Sequence, residues 1–414
     1  MKPRILLFAI GSLFVTAAAV SAGDTSGQIY GKITTRDGDV YQGLIRWDKN
    51  EASWVDILDG TREREPEEAN SGVRRRTHRD KTKIEIFGLK IGDSEDGIES
   101  STSSQSGIRI GNIKTIRPDG DDAADIVLKS GLKVHMESDG GDIGSSNREI
   151  IVEDKHEGET ELAWEDIELV EFQPTAADAE SMMGSRLYGT VTTRRGDLFT
   201  GWVAWDVDEA FGADVLDGET RDRTRKIRFD KIASIERYSS EGASVTLKNG
   251  EDLVMRGTND VDNGNRGIVV CDPAFGQVVV DWDQFDKLEF KEPTKQVTYD
   301  QFDGGRPLHG TVTTEEGDKL TGTIKWDDDE ENTWEMINGE YRDVRFEVEL
   351  GLIKSIEKQS SSTSLVTVSD GRTFRLRGSN DVDDSNRGIF VIQPNGKTER
   401  VDWEDFVKVD FDQK

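Results

Sequence analysis

Residues 189–206 read GTVTTRRGDLFTGWVAWD, and residues 310–327 read GTVTTEEGDKLTGTIKWD. The second stretch begins 121 positions after the first (310 − 189). The same shift relates Asn265-Arg266-Gly267-Ile268 to Asn386-Arg387-Gly388-Ile389, and Trp282 to Trp403. Similarity kept in register over such a span predicts two copies of one folding unit.

A third copy precedes these two, because residues 31–48 read GKITTRDGDVYQGLIRWD. Its early tryptophan precedes the equivalent of copy 2 by 158 positions (205 − 47), and its late one by 118 (282 − 164). The difference indicates an inserted segment, which we place at 62–106. We expect three tandem units at 27–172, 185–290 and 306–411, called copies 1, 2 and 3, each made of two related halves.

Short stretches of alternating polarity, bounded by turn residues, predict β-strands. Val245 and Leu247 share one face, and Asn249-Gly250 follows them with the composition of a type I′ hairpin turn. No stretch of helical length carries an apolar stripe with a period of 3.6 residues. The sequence therefore predicts an all-β protein.

The glycines of the repeated stretch follow the spacing V-x4-G-x4-G, with Gly196 and Gly201 in copy 2 and Gly317 and Gly322 in copy 3. This spacing resembles the first motif of Sm-like small β-barrels, whose strands bend around such glycines. The resemblance implies that each half-copy is a small SH3-like or Sm-like barrel, and it implies nothing about RNA. A propeller-like ring is the alternative, because Trp-Asp pairs recur along the chain.

Composition and the N-terminal residues bear on location. The sequence holds 83 Asp and Glu against 53 Lys and Arg, a formal net charge of −30, which disfavours nucleic acid as a partner. Residues 1–22 have a charged start, an apolar run and small residues ending at Ala22, as in a signal peptide. We expect a secreted or periplasmic protein without a transmembrane span. Its single cysteine, Cys271, is expected to be a buried core residue, and it cannot form an intrachain disulfide.

Two loops rich in Asp and Asn are candidate calcium sites, because Ca²⁺ takes six to eight hard oxygen ligands. The alternative is a structural loop in which Asn and Asp make Asx-turns. In that alternative Arg266 and Arg387 are expected to pair with a loop carboxylate and hold the shape of the loop. The candidate ligands are Asn259, Asp260, Asp262, Asn263 and Asn265 in copy 2, and Asn380, Asp381, Asp383, Asp384 and Asn386 in copy 3.

Other repeated residues are expected to serve the framework. Tryptophan on an alternating strand is typically a core residue, and exposed Trp beside carboxylates would instead suit glycan binding. The framework set comprises the four turn glycines named above together with Trp205, Arg266, Gly267, Trp282, Trp326, Arg387, Gly388 and Trp403.

Catalytic motifs are not evident in the sequence. The four histidines show no metal spacing, and the notable residues recur in two or three copies, whereas a catalytic site is usually built once. We expect a non-enzymatic structural or binding protein of the cell envelope, with another envelope protein or a glycan as its partner. The alternatives are a calcium- or carbohydrate-binding module and a hydrolase acting through carboxylates. The basic stretch 62–83 within the insertion is expected to be a surface excursion or a docking element.

Overall fold

A computed structural model describes residues 24–63, 74–75, 103–138 and 141–413. The predicted signal peptide and most of segment 62–106 lie outside these ranges. The all-β prediction is confirmed, because the described elements are strands joined by turns. Helical residues in the described part of the chain occur only as 3₁₀ turns, at Ile110–Asn112, Trp164–Asp166, Phe229–Lys231, Asn259–Val261, Tyr299–Gln301 and Leu350–Leu352. None of these described helices is long and apolar enough to cross a membrane.

The strands of copy 1 are β1 (Tyr30–Thr35), β2 (Val40–Trp47), β3 (Ile57–Glu63), β4 (Arg74–Arg75), β5 (Ser103–Arg109), β6 (Ile113–Asp119), β7 (Ala123–Leu128), β8 (Lys133–Glu137), β9 (Ile150–Asp154), β10 (Gly158–Leu162) and β11 (Ile167–Phe172). Those of copy 2 are β12 (Tyr188–Thr193), β13 (Leu198–Ala204), β14 (Val215–Glu219), β15 (Thr224–Arg228), β16 (Ile232–Ser239), β17 (Gly242–Leu247), β18 (Asp252–Arg256), β19 (Ile268–Asp272), β20 (Gly276–Val280) and β21 (Phe285–Phe290).

The strands of copy 3 are β22 (His309–Thr314), β23 (Lys319–Lys325), β24 (Met336–Tyr341), β25 (Val344–Glu349), β26 (Ile353–Ser360), β27 (Thr363–Val368), β28 (Thr373–Leu376), β29 (Ile389–Ile392), β30 (Thr398–Val401) and β31 (Phe406–Phe411). One order of strands runs through all three copies: β10-β9-β2-β1-β11-β6-β7-β8 in copy 1, β20-β19-β13-β12-β21-β16-β17-β18 in copy 2 and β30-β29-β23-β22-β31-β26-β27-β28 in copy 3.

These strands form three sheets of 10, 12 and 9 strands rather than closed barrels, so the expectation of two small barrels per copy is wrong. The sheets are also larger than the four-stranded blades of a propeller. Their neighbouring strands are antiparallel apart from the pair of β4 and β30. The barrel expectation failed because a glycine spacing specifies local strand bending, whereas closure depends on which distant strands pair.

The repeated glycines have local roles in this arrangement. Gly196 lies in the turn between β12 and β13 at φ +82°, a conformation that suits glycine. At Gly201, a Cβ atom would lie 2.2 Å from the carbonyl oxygen of Cys271 on β19. The absence of a side chain there lets two strands approach closely, and Gly322 has the same relation to Ile392 at 2.1 Å.

The predicted hairpin at Asn249-Gly250 exists, since it connects β17 and β18. Its turn is not type I′, because Gly250 has a positive φ (+89°) and Asn249 does not. The side chain of Asn249 instead accepts a hydrogen bond from the amide of Glu251 at 2.9 Å. The local Asx bond competes with the left-handed conformation that a type I′ turn requires.

The copies pack against one another through a shared sheet, a shared core and polar contacts. Strand β25 of copy 3 pairs with β20 of copy 2, so β24 and β25 extend the sheet of copy 2. One hydrophobic core runs through copies 2 and 3, and a second is built mainly from copy 1 together with Tyr299 and Trp334. Arg109 of copy 1 joins all three copies, because its guanidinium donates to the carbonyl of Asp272 at 2.9 Å and lies 3.1 Å from the carboxylate of Glu349.

Candidate functional site

In each copy the strand after the second repeated glycine ends in a tight turn with the pattern Trp-Asp-x-x-Glu. The backbone amides and carbonyls of Trp47 and Glu51 are hydrogen-bonded to each other at 2.8 and 3.0 Å, which closes the turn. Asp48 and Lys49 both have positive φ, at 41° and 72°. The equivalent turns, at 205–209 and 326–330, have the same bonds and the same two left-handed residues.

A second loop lies directly beside this turn because of strand pairing. In copy 1 the end of β2 pairs with the start of β9, with Trp47 opposite Ile150. The loop that precedes β9 therefore reaches the turn that follows β2, and it contributes Asp142. The indole N–H of Trp47 donates to the backbone carbonyl of Asp142 at 2.9 Å, which connects the two segments.

The same connection occurs in the other copies. The indole of Trp205 donates to the carbonyl of Asp260 at 2.9 Å, and that of Trp326 to the carbonyl of Asp381 at 3.0 Å. One carboxylate oxygen of each of these aspartates accepts a backbone N–H from the strand that follows the turn. The three distances are 2.7 Å from Asp59, 2.6 Å from Asp217 and 2.6 Å from Asn338.

Three carboxylates therefore converge once per copy. In each group the ligand oxygens lie within 4.8 Å of one another. Atoms bound to one ion at about 2.4 Å must lie within twice that distance of each other, so the spacing suits a shared Ca²⁺. We call the groups acid sites 1, 2 and 3, and they consist of Asp48, Glu51 and Asp142; Asp206, Glu209 and Asp260; and Asp327, Glu330 and Asp381.

The glutamate of each acid site has an oxygen without a hydrogen-bond partner. Oε2 of Glu51, Glu209 and Glu330 is inaccessible to solvent and accepts no hydrogen bond from any described residue. The side chains of Glu51 and Glu330 are 5% and 6% exposed. Since buried polar atoms are almost always paired, these oxygens indicate a missing partner, either a cation or a proton.

The pKa directions agree with this interpretation. Burial, reinforced by the neighbouring carboxylates, raises the pKa of Glu51 and Glu330 well above the ordinary value. The same causes raise the pKa of Glu209 to about 9. Burial also raises the pKa of Asp327 to about 7, although the hydrogen bond from Arg387 opposes the rise. Carboxyls of this kind take up protons when no cation neutralises them.

An arginine from the second loop pairs with the first aspartate of each site. The guanidinium of Arg266 lies 2.8 Å from Asp206, and that of Arg387 also contacts the carboxylate of Asp327. Arg148 has the same role in copy 1, at 2.8 Å from Asp48. In each site three carboxylates and one guanidinium leave a formal charge of −2, which a divalent cation balances.

Of the ten predicted calcium ligands, only Asp260 and Asp381 belong to acid sites. Asn259 and Asn380 donate to the first aspartates of the sites, Asp206 and Asp327. The other six do not belong to the acid sites. Asp262, Asp383, Asn265 and Asn386 accept the backbone N–H two residues ahead, as in Asx-turns, and Asn263 and Asp384 are exposed.

The prediction missed the Asp and Glu of the turn, although the sequence contained a signal for them. Trp47-Asp48-Lys49-Asn50-Glu51, Trp205-Asp206-Val207-Asp208-Glu209 and Trp326-Asp327-Asp328-Asp329-Glu330 repeat the pattern W-D-x-[ND]-E at the shifts that define the copies. The prediction rests on the Trp-Asp pair of this pattern and omits its glutamate. The glutamate three residues after the aspartate returns to the same side of the turn.

All nine tryptophans are buried, with exposures between 0% and 5%, so no Trp ring is available to stack on a glycan. Trp205 and Trp282 pack edge to face at 6.3 Å, as do Trp326 and Trp403 at the same distance. Cys271 is buried as well. Gly267 and Gly388 follow the site arginines at φ +134° and +120°.

One other group of ligand type exists among the described residues. Asp119, Asp125 and His135 converge on the surface of copy 1, where all three are exposed. Nδ1 of His135 lies 2.9 Å from Asp125, so this group has an ordinary partner for its histidine. It lacks the buried unpaired oxygens of acid sites 1 to 3.

No protein-family description matches the chain, and no curated protein resembles it in sequence.

Proposed function

We propose that this chain is a non-enzymatic, exported binding scaffold in which each copy holds one divalent cation, calcium, at its acid site. The observation that carries the proposal is a glutamate at the same place in three copies, whose carboxylate lies beside two aspartates and whose Oε2 is buried and unpaired. Oxygen ligands without histidine or cysteine suit Ca²⁺ rather than a transition metal.

The proposed cation would have a structural role. It would connect the Trp-Asp-x-x-Glu turn to the loop that precedes the paired strand, as a cross-link between two segments distant in sequence. An exported chain with a single cysteine has no intrachain disulfide to do this. Extracellular calcium modules bind with dissociation constants of about 10⁻⁴ to 10⁻³ M, so sites of this strength would be filled outside the cell.

The burial and repetition of the acid sites support cation binding better than hydrolysis. A cleft of about 410 Å³ reaches acid site 3, with Asn338, Ser379 and Arg345 in its lining. Glu330 and Asp381 are nonetheless only 6% and 4% exposed, and the acid site recurs in two other copies. A substrate would contact such buried carboxylates poorly, and the same group is present three times. These carboxylates are therefore better explained as cation ligands than as a general acid and base.

Isothermal titration calorimetry of the purified protein with CaCl₂ tests this proposal. Three Ca²⁺ ions per chain are expected, and the triple variant Glu51→Gln/Glu209→Gln/Glu330→Gln should bind none of them, because a neutral amide replaces the carboxylate. The matched control is Asp119→Asn/Asp125→Asn, which removes two exposed acids of the surface group and should still bind three. An absence of binding by the unchanged protein, or full binding by the triple variant, would overturn the proposal.

A further inference from the structure

The turns of acid sites 1 and 2 dock against each other. Arg46, which precedes the turn of copy 1, reaches both carboxylate oxygens of Asp214 at 3.0 and 3.1 Å and the carbonyl of Asp208 at 3.0 Å. In the opposite direction, Arg186 of copy 2 reaches Asp56 at 3.1 Å and the carbonyl of Asn50 at 3.2 Å. Each arginine therefore contacts the Trp-Asp-x-x-Glu turn of the other copy, which we call its cation turn.

An apolar contact lies between the same two turns. It comprises Ala52 after the first turn, Ala210 and Phe211 after the second, and Ile151 and Met183 beside them. All five side chains are buried, at 0% to 8% exposure. A change in the backbone of one turn therefore displaces close-packed neighbours of the other.

Arg148 connects the two acid sites directly. Its Nε and Nη2 lie 2.9 and 2.8 Å from Oδ2 of Asp48, a ligand of site 1. Its Nη1 donates to the carbonyl of Val207 at 3.0 Å and lies 3.7 Å from the carboxylate of Asp208, both in the turn of site 2. One guanidinium thus bridges a ligand of one site and the turn of the other.

The equivalent arginine of copy 2 remains within its own copy. Arg266 contacts Asp206 and Asp208, which belong to the turn of site 2 itself. The turn of site 3 docks on a strand instead of another cation turn, because Arg62 at the end of β3 donates to the carbonyl of Asp329 at 2.9 Å. Sites 1 and 2 are therefore joined in a way that site 3 is not.

We infer that acid sites 1 and 2 bind their cations cooperatively as a linked pair, with Arg148 as the positioning residue that couples them. This inference rests on the proposed calcium binding. A cation at site 1 fixes the position of Asp48. The hydrogen bonds of Arg148 to Asp48 and to the carbonyl of Val207 transmit this order to the turn that carries Asp206 and Glu209. Because linkage is reciprocal, filling site 2 must favour site 1 by the same factor.

The test uses Glu330→Gln, which silences site 3, as the common background. Calcium titrations compare this variant, which has both remaining sites, with E51Q/E330Q (site 2 alone) and E209Q/E330Q (site 1 alone). Each single site should bind at least about 5-fold more weakly than it does when its partner is filled. Adding Arg148→Gln to the E330Q background should reduce this coupling factor. The matched control Arg266→Gln, at the equivalent arginine of copy 2, should change the affinity of site 2 and leave the factor unchanged.

The outcomes separate this inference from the function on which it rests. If none of the variants with intact sites binds calcium, the proposed function fails. If the two-site curve of E330Q equals the sum of the two single-site curves, calcium binding stands and the coupling is wrong. Coupling that survives R148Q would assign the linkage to the docked turns and overturn the role of Arg148. Melting of each variant in chelator, at the temperature of E330Q, confirms that the fold is retained.

Discussion

Acid sites 1 and 3 have the same turn, the same tryptophan hydrogen bond and the same arginine, but they differ in charge. In site 1 the residue before the glutamate is Asn50, whose amide donates to Glu51. In site 3 that residue is Asp329, which adds a carboxylate beside Glu330 and lies 2.6 Å from Arg387. The framework is therefore held constant while the charge that a cation would meet is varied.

The arginines of sites 1 and 3 also differ in their contacts. Arg148 divides its contacts between Asp48 and the turn of copy 2, whereas Arg387 makes both of its ion pairs with its own turn, at Asp327 and Asp329. In copy 3 the carboxylates and the arginine are thus concentrated around one site. In copy 1 the arginine also contacts copy 2. If the acid sites bind calcium as proposed, site 3 is suited to tight binding and site 1 to coupling with copy 2.

The largest expected effect is a loss of stability when the buried tryptophan that sites 1 and 3 share is removed. Trp47 and Trp326 are 1% and 0% exposed, and each joins the two segments of its site. Trp47→Ala and Trp326→Ala should each lower the free energy of unfolding by about 3 to 5 kcal/mol, through the cavity and the lost hydrogen bond. Urea denaturation in calcium measures this, with Tyr238→Ala, at a 59% exposed side chain, as the control. A tryptophan whose removal costs less than 1 kcal/mol would show that its copy does not depend on this framework.

A smaller effect follows from the raised pKa values when calcium is removed. The folded pKa of Glu209 is about 9, above the ordinary 4.5, so the folded state binds a proton that the unfolded chain releases. The stability gained in this way is complete below about pH 4.5 and is lost as the pH rises toward 9. In chelator, the melting temperature should therefore fall by several degrees between pH 5.5 and 8.5, and calcium should reduce the fall.

The same experiment distinguishes the copies. Copy 3 has raised pKa values at Glu330, Asp381 and, at about 7, Asp327. Glu330→Gln/Asp381→Asn should therefore remove more of the pH dependence than Glu51→Gln does. Melting temperatures that are independent of pH in the unchanged, calcium-free protein would contradict the assignment of the unpaired oxygens to protons.

The sequence was sufficient for the parts of the fold that depend on local pattern. Alternating strands, the turn at Gly196 and the burial of Trp205 and Trp326 follow from period, turn chemistry and amphipathic side chains. Barrel closure did not follow, since pairings such as that of β20 with β25 of another copy depend on contacts between distant segments.

The acid sites were half predictable for the same reason. Asp260 and Asp381 are predictable because Asp and Asn cluster around them. Glu209 and Glu330 lie in another segment, and only strand pairing brings them near. The sequence contains the repeated pattern W-D-x-[ND]-E, but it does not show which loop lies beside that pattern in the fold. The unpaired glutamate oxygen is a property of packing, which no sequence pattern encodes.

The smallest effect tests whether the charge difference between sites 1 and 3 sets their affinities. Asn50→Asp gives site 1 the carboxylate that site 3 has, and Asp329→Asn removes it from site 3. Because an added carboxylate strengthens attraction for a divalent cation, we expect about a ten-fold gain at site 1 and a comparable loss at site 3, roughly 1.4 kcal/mol each. Calorimetry in the E209Q background, which silences site 2, resolves the two remaining sites.

Asp125→Asn, an exposed acid outside every acid site, is the control for general charge and should leave both affinities unchanged. Asn50 also donates to Glu51 and approaches Arg148, so Asn50→Asp exchanges a donated hydrogen bond for a charge. If affinity falls in Asn50→Asp while it also falls in Asp329→Asn, the hydrogen bonds of each turn outweigh its charge. The two sites would then differ in geometry as well as in electrostatics, and the ranking by carboxylate number would be wrong.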